Sequence, residues 1–132
     1  RQAIDVVGLF NHDNFARSLP ETKIVLNTSL SDNNHKVSFF GRYVSDYSTT
    51  RPLSALAKDA GFDQKIDQWI TFDLQYSYSF VLSGNEIRLS IGGNNILDED
   101  VPLVYDAANF SYDPKHHDPR GRLFYFGINL FR

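Results

Sequence analysis

The sequence predicts an all-β protein built as an antiparallel meander of about five strands. The clearest observation is the stretch 69–82, in which every second position is apolar or aromatic and most intervening positions are polar. Counted from Asp67, this strand has about sixteen residues, whereas strands of soluble domains usually have about 3–10. In addition, short and long connections alternate along the chain, which is typical of outer-membrane β-barrels.

Length and composition restrict the class of protein. The 132 residues fit one ordinary domain, and because the sequence has no cysteine, disulfides, thiolate metal sites and cysteine nucleophiles are excluded. A net charge of −3 without a basic run argues against nucleic-acid binding. No stretch reaches the ~18–20 apolar residues of a membrane-spanning helix. The chain opens on Arg1 with no signal peptide, so we expect a processed chain or part of a longer one.

Strands are expected at 22–30, 35–47, 67–82, 86–92 and 122–131. Residues that tolerate positive φ predict tight turns at 31–34 and 83–85. The long connections are 48–66, with a helical turn expected at 53–60 and ended by Gly61, and 93–121. Residues 1–20 are read as a strand end at 4–10 followed by a third long loop.

Two environments explain strands with one apolar face. In a membrane barrel the apolar face contacts hydrocarbon and the other face lines a polar lumen, with tyrosines such as Tyr43, Tyr47 and Tyr76 at the interfaces. In a soluble antiparallel sheet the apolar face packs on a core. Strand length and the segregated loops favour the barrel. Because every backbone group in hydrocarbon must be paired, five strands cannot close alone, and the chain must complete a larger barrel or assemble with others.

Several segments resemble one known family. The stretch 91–100, IGGNNILDED, followed by Pro102, is similar to the "G-x-N-N-l-f-D-x-x-P" segment before the last strand of TonB-dependent outer-membrane receptors. Tyr112-Asp113-Pro114 and PRGRLFYFG at 119–127 resemble the "y-d-P … G-R-x-y-y-x-G" signature leading into the family's final strand. Upstream, 39–47 and 19–23 match common family segments, so the resemblance extends from about Gly8 to Arg132.

The resemblance implies that the chain, residues 1–132, forms the last ~5 strands of a 22-stranded transmembrane β-barrel with an N-terminal plug. The whole receptor would lie in the outer membrane of a Gram-negative cell. It would bind a scarce nutrient (a ferric siderophore, haem, cobalamin or a glycan) and import it with energy that TonB delivers through the plug. The implied partners are outer-membrane lipid, the protein's own plug and remaining strands, TonB, the barrel-assembly machinery and the small-molecule nutrient.

Two features depart from the family pattern. These residues contain neither a plug nor a TonB box, so the chain would not couple transport by itself. Family members usually end on an aromatic residue that the assembly machinery reads, whereas here Phe131 is followed by Arg132. Two alternative functions remain open: a soluble all-β ligand-binding module, and a passive porin-type barrel.

The candidate site residues fall into three groups. Aromatic residues on the long loops are the candidates for ligand contact, namely Tyr105, Phe110 and Tyr112. Polar residues on the lumen-facing register either form ion pairs along the lumen wall, for example against the plug, or are simply hydrated in the lumen, namely Arg42, Asp73, Glu86 and Arg88. The C-terminal assembly strand presents Phe124, Phe126, Ile128 and Leu130 on one face, with Phe131 on the lumen register.

No other cluster predicts chemistry. His116-His117-Asp118 offers metal-ligand types, but adjacent strand residues diverge and we expect a solvated loop instead. Asp98-Glu99-Asp100 lacks the spacing of a calcium-binding loop and, with Asn94 and Asn95, is expected to turn the chain. No helix follows Gly92-Gly93, and no nucleophile–base pair is visible. We expect no enzyme activity, no cofactor and no metal.

Overall fold

The computed structural model describes residues 7–10, 19–105 and 112–131, and these are mostly β. In chain order the elements are β1 (Leu9–Phe10), β2 (Lys23–Asp32), β3 (His35–Val44), β4 (Tyr47–Thr49), α1 (Ala55–Asp59), β5 (Lys65–Ile66), β6 (Trp69–Leu82), β7 (Asn85–Asn94) and β8 (Leu123–Phe131). The five long strands form one open antiparallel sheet in the order β2-β3-β6-β7-β8, which confirms the expected five-stranded meander. Within the described residues this sheet does not close into a barrel.

Several strand ends differ from the sequence prediction, since β2 continues to Asp32 rather than to residue 30 and β6 begins at Trp69 rather than at residue 67. Two further differences change which residues belong to which element. The strand expected at 35–47 ends at Val44, and Tyr47 begins β4, which pairs with β1 and β5 in a separate small sheet. The alternation of the sequence continues past the break because Tyr47 is apolar, but Tyr47 is buried in a hydrophobic core together with Val44 instead of extending the sheet. The strand expected to end at residue 92 instead continues through Asn94, so Asn94 pairs with Leu123 rather than turning the chain.

Local sequence explains the turns. At the two tight turns Asn33 and Ser83 adopt φ of 47° and 52°, and Gly84 follows Ser83 with φ 81°. Helix α1 is shorter than the expected 53–60 and begins after Ser54, whose hydroxyl accepts a hydrogen bond from the Ala57 amide. Gly61, with φ 84°, follows the helix as expected. No helix among the described residues is long and apolar enough to cross a membrane.

The chain divides into two compact units. The loop unit comprises 1–24, 43–69 and 100–119, and the sheet unit comprises 25–42, 70–99 and 120–132. Among the residues described, the buried hydrophobic side chains all belong to the loop unit, where the core consists of Val44, Tyr47, Ile66, Trp69 and Val104. In the sheet unit the buried side chains are small or polar, for example Thr71, Ser77 and Ser90. The sheet therefore has no hydrophobic core of its own in the described part of the chain.

Strand register separates the sheet into two chemically different faces. Partners across β6, β7 and β8 form apolar rows on one face, namely Tyr76–Ile91–Phe126, Tyr78–Leu89–Ile128 and Phe80–Ile87–Leu130. Partners on the opposite face form mostly polar rows, namely Gln75–Gly92–Tyr125, Ser77–Ser90–Gly127 and Ser79–Arg88–Asn129. The alternation seen in single strands is thus continued across the ladder.

Candidate functional site

The apolar face of the sheet is exposed rather than packed. On β8 the relative exposure of Phe124 is 70%, of Phe126 66% and of Ile128 64%, and Ile91 on β7 is 58% exposed. Soluble monomers rarely expose contiguous apolar patches larger than a few hundred Å². Contact with an apolar medium or partner would remove such a face from water.

Both outer edges of the sheet are long, and within the described residues neither is paired with a further strand. Strand β2 has ten residues, all of them exposed, and β8 has nine. These two strands are the ends of the sheet order in the described residues. Proteins usually protect such edges with charges, proline or bulges, but β8 has no charged residue and no proline, and its register with β7 is continuous. Edges like these are suited to pairing with further strands.

On the polar face, Arg42 and Asp73 form an ion pair between β3 and β6. Arg42 Nη2 lies 2.9 Å from Asp73 Oδ2, and the guanidinium also stacks 4.3 Å from the centre of the Phe40 ring. Asp73 Oδ1 accepts a hydrogen bond of 2.9 Å from the backbone amide of Asn95. Asp73 therefore connects a neighbouring strand to the chain that leaves β7.

Glu86 and Arg88, on the same face of β7, form a second ion pair. Arg88 Nη2 lies 3.1 Å from Glu86 Oε1, and Arg88 Nε donates to Ser79 Oγ at 3.1 Å. The Arg88 guanidinium also lies 4.9 Å from the centre of the Phe131 ring. Phe131, the cross-strand partner of Glu86, thus lies on this face, opposite to Phe124, Phe126, Ile128 and Leu130.

An open concavity of about 170 Å³ lies in the sheet unit. Besides Phe39 and Leu74 it is lined by Asn27, Ser38, Phe40, Asp73, Gln75, Asn94 and Tyr125. These groups are neutral hydrogen-bonding side chains and aromatic rings, together with one carboxylate that is already engaged by Arg42. The lining is suited to polar, uncharged contacts.

The two segments that carry the family resemblance meet in the structure. Asp98 accepts a hydrogen bond of 3.0 Å from the Arg122 amide and pairs with its guanidinium at 3.2 Å. Asn95 closes the turn by bonding both the amide and the carbonyl of Glu99. Asn95 and Asp98 have positive φ of 48° and 59°, which asparagine and aspartate tolerate better than most residues. Both residues act as turn residues, as expected.

The expectation of a solvated loop at 116–118 is wrong for His117. This side chain is only 5% exposed, because its ring stacks on Tyr47 at a centroid distance of 6.2 Å and meets the edge of Trp69 at 5.2 Å. Beside it, the Tyr47 hydroxyl donates a 2.9 Å hydrogen bond to the buried carboxylate of Asp113. The segment is part of the core of the loop unit.

Burial shifts the acidity of two groups in this cluster. Desolvation, with a smaller contribution from the Asp113 carboxylate, raises the pKa of Tyr47 far above its ordinary value. Desolvation lowers the pKa of His117, which the nearby Asp113 only partly opposes. Within the described residues, both ring nitrogens of His117 and Trp69 Nε1 are buried without a hydrogen-bond partner. The sequence analysis did not predict this cluster. Asp113 belongs to the Tyr112-Asp113-Pro114 motif and Trp69 is the single tryptophan of the 132 residues, but neither fact indicates that the two side chains pack around His117.

The loop aromatics are placed differently from one another. Tyr105 is half-buried in the loop unit, where its ring lies 5.6 Å from that of Phe62 and 5.3 Å from the Arg51 guanidinium. Tyr112 is also half-buried. Phe110 lies outside the described residues. The part of the chain that is described holds no group of three or more His, Asp or Glu side chains arranged to bind a metal ion.

Comparison with family models, with curated proteins and with solved structures gave no match for this chain.

Proposed function

We propose that this chain forms consecutive strands of a transmembrane β-barrel in the outer membrane. The observation that carries the proposal is the exposed apolar face, which continues in register across β6, β7 and β8 while the opposite face stays mostly polar. In a bilayer the first face contacts acyl chains and the second lines the lumen. The alternative of a soluble binding module would require a core against this face, and the buried apolar side chains lie in the loop unit instead.

Strand dimensions support the same proposal. A transmembrane β-strand tilted by about 45° needs about 9–11 residues. Strands β2, β3 and β7 have ten residues each and β8 has nine, while β6 has fourteen. Tyr78 and Phe80 stack on each other near the Ser83–Gly84 turn, where the aromatic girdle of a barrel is expected.

The open edges and the ion pairs agree with a partial barrel. In hydrocarbon every backbone group must be paired, so β2 and β8 would bind the neighbouring strands of a complete barrel. Arg42–Asp73 and Glu86–Arg88 would then face the lumen, where charged groups remain hydrated or contact a plug. The corresponding partners are outer-membrane lipid, the remaining strands of the barrel and the barrel-assembly machinery.

Within the barrel class, we assign the chain to the C-terminal end of a TonB-dependent receptor. The support is the order of its motifs, together with the contacts of Asp98 with Arg122 that join two of them. The complete receptor would import a scarce nutrient, such as a ferric siderophore, haem, cobalamin or a glycan, with TonB-delivered energy.

The membrane proposal is tested by site-directed spin labelling. Because these 132 residues contain no cysteine, single substitutions such as Ile128→Cys and Asn129→Cys add one labelling site each within them. The protein is purified from outer membranes and placed in lipid vesicles. We expect lipid-soluble oxygen to accelerate the spin relaxation of labels at 124, 126, 128 and 130. For labels at 125, 127 and 129 we expect a water-soluble nickel chelate, or neither reagent, to accelerate it. Equal access of both reagents along β8 would contradict the proposal.

The receptor class is tested separately. An antibody against residues 112–121 is used to probe outer membranes, and the labelled polypeptide is assayed for binding to the periplasmic domain of TonB. A heat-modifiable polypeptide much longer than 132 residues that binds TonB supports the assignment. A membrane polypeptide that does not bind TonB indicates a passive barrel, and a short polypeptide in the soluble fraction would contradict the whole proposal.

A further inference from the structure

The cluster around His117 in the loop unit has a property that a purely structural core lacks. The imidazole fills an aromatic pocket between Tyr47 and Trp69 while neither ring nitrogen has a hydrogen-bond partner among the described residues. A buried imidazole without partners is tolerated as a neutral ring, but an imidazolium needs acceptors for both of its N–H groups. Proton uptake and this packing therefore oppose each other.

We propose that His117 is a proton-operated latch: the neutral ring fastens the segment 112–119 to Tyr47 and Trp69, and protonation releases it. This inference goes beyond the proposed function and does not depend on the sheet being in a membrane. The latch residues all belong to the loop unit.

The groups around the ring only partly offset the cost of an added proton. Asp113 is the nearest acid, but Asp113 Oδ2 accepts from the Tyr47 hydroxyl at 2.9 Å and Asp113 Oδ1 accepts from the Lys115 amide at 3.0 Å. The backbone carbonyl of Asp113 also favours the charged ring, whereas two basic groups, His116 from the same segment and Lys23 from β2, disfavour a further positive charge. Desolvation outweighs the two contributions of Asp113, so the pKa of the ring stays below its ordinary value. Tyr47 stays neutral and Trp69 does not titrate.

The direction of the pH dependence follows from linkage. Burial lowers the pKa of folded His117 below its ordinary value of 6.5, so the unfolded or released segment binds a proton more readily than the packed one. The contribution of the latch is complete above pH 6.5 and is lost as the pH falls towards and through the folded pKa. The loop unit is therefore expected to open on mild acidification.

Trp69 offers a direct readout because it is the only tryptophan of the 132 residues and touches the His117 ring. In the purified protein, the contribution of Trp69 to fluorescence is obtained as the difference between the parent and Trp69→Phe. We expect a reversible red shift of this emission between pH 8 and pH 5, with its midpoint below 6.5.

Two variants separate the latch from general acid effects. His117→Phe keeps an aromatic ring but cannot take a proton, so the red shift should be lost, while the matched variant His116→Gln should retain it. A parent protein without a transition, or a His117→Phe protein with an unchanged one, overturns the proposal. If His117→Phe does not fold, NMR of the parent decides. A His117 ring that titrates below 6.5 together with faster hydrogen exchange of the 112–119 amides supports the latch, whereas a midpoint at or above 6.5, or unchanged exchange, overturns it.

Discussion

The ring of Tyr125 lies over Gly92, its partner across the β7–β8 ladder. A Cβ placed on Gly92 would lie 2.9 Å from Tyr125 Cε2, closer than real Cβ atoms approach. One residue further, Phe124 covers Gly93 on the opposite face in the same way, with its Cδ1 2.9 Å from the position of a Cβ. Two adjacent glycines thus leave space for two aromatic rings, an arrangement that fixes strand register.

We expect Gly92→Ala to destabilise the sheet by about 1–3 kcal/mol, the usual cost of forcing extra volume into a packed position. The matched control is Gly127→Ala on β8, where the new methyl would meet Ser90 Cβ at 4.0 Å, an ordinary contact. Stability is measured by urea titration of the protein in detergent or lipid. Because Tyr125→Ala would remove the obstruction, the double variant should recover part of the loss; additive losses would contradict this explanation.

Asp73→Ala is expected to cost more stability than the loss of an exposed ion pair. Asp73 accepts from both Arg42 and the Asn95 amide, and hydrogen bonds to charged groups contribute about 1.5–3 kcal/mol. The control is Asp46→Ala, which removes the exposed pair with Lys65 at 3.5 Å and should cost about 0–1 kcal/mol. Similar losses for the two variants, measured by chemical unfolding, would show that Asp73 does not connect the strands energetically.

Three substitutions of Asp98 distinguish the contribution of its carboxylate from that of its backbone conformation. Asp98→Asn keeps an acceptor and tolerates the positive φ of 59°, so it should be the mildest. Asp98→Gly removes both contacts with Arg122, but glycine adopts the positive φ without strain. Asp98→Ala removes the same contacts and adds backbone strain of about 1–2 kcal/mol. Hydrogen exchange of the Arg122 amide should follow the order Asn, Gly, Ala; a different order would contradict the assigned roles.

A charge on the apolar face distinguishes a lipid environment from water. Ile128 is 64% exposed, so in water Ile128→Arg should change stability by no more than about 0.5 kcal/mol. In a bilayer the same change near the midplane should cost about 2–4 kcal/mol. Asn129→Glu is the control, since residue 129 lies on the polar face directly opposite Arg88, where a carboxylate meets an opposite charge and should cost little. Refolding of both variants into lipid vesicles measures the difference.

Some elements of the fold follow from the sequence alone and others do not. The five strands and their tight turns were predicted because alternation and residues that tolerate positive φ are local properties of neighbouring residues. Strand β7 extends past its predicted end at residue 92, and the Tyr125 and Phe124 rings that lie over Gly92 and Gly93 account for two glycines inside a strand. These contacts are between strands, so alternation within one strand does not indicate them. The predicted lumen residues proved to pair as Arg42–Asp73 and Glu86–Arg88, which alternation alone does not specify.

The sequence by itself determined which residues share a face of each strand, since that depends only on the period of two along an extended chain. Only the tertiary structure decided that Tyr47 leaves the strand pattern to bond Asp113, 66 positions away, and that His117 is buried beside it. The physical reason is that the register between strands and the path of the long loops bring distant residues together. These contacts leave no periodic pattern in the sequence, so they become visible only when the chain is folded.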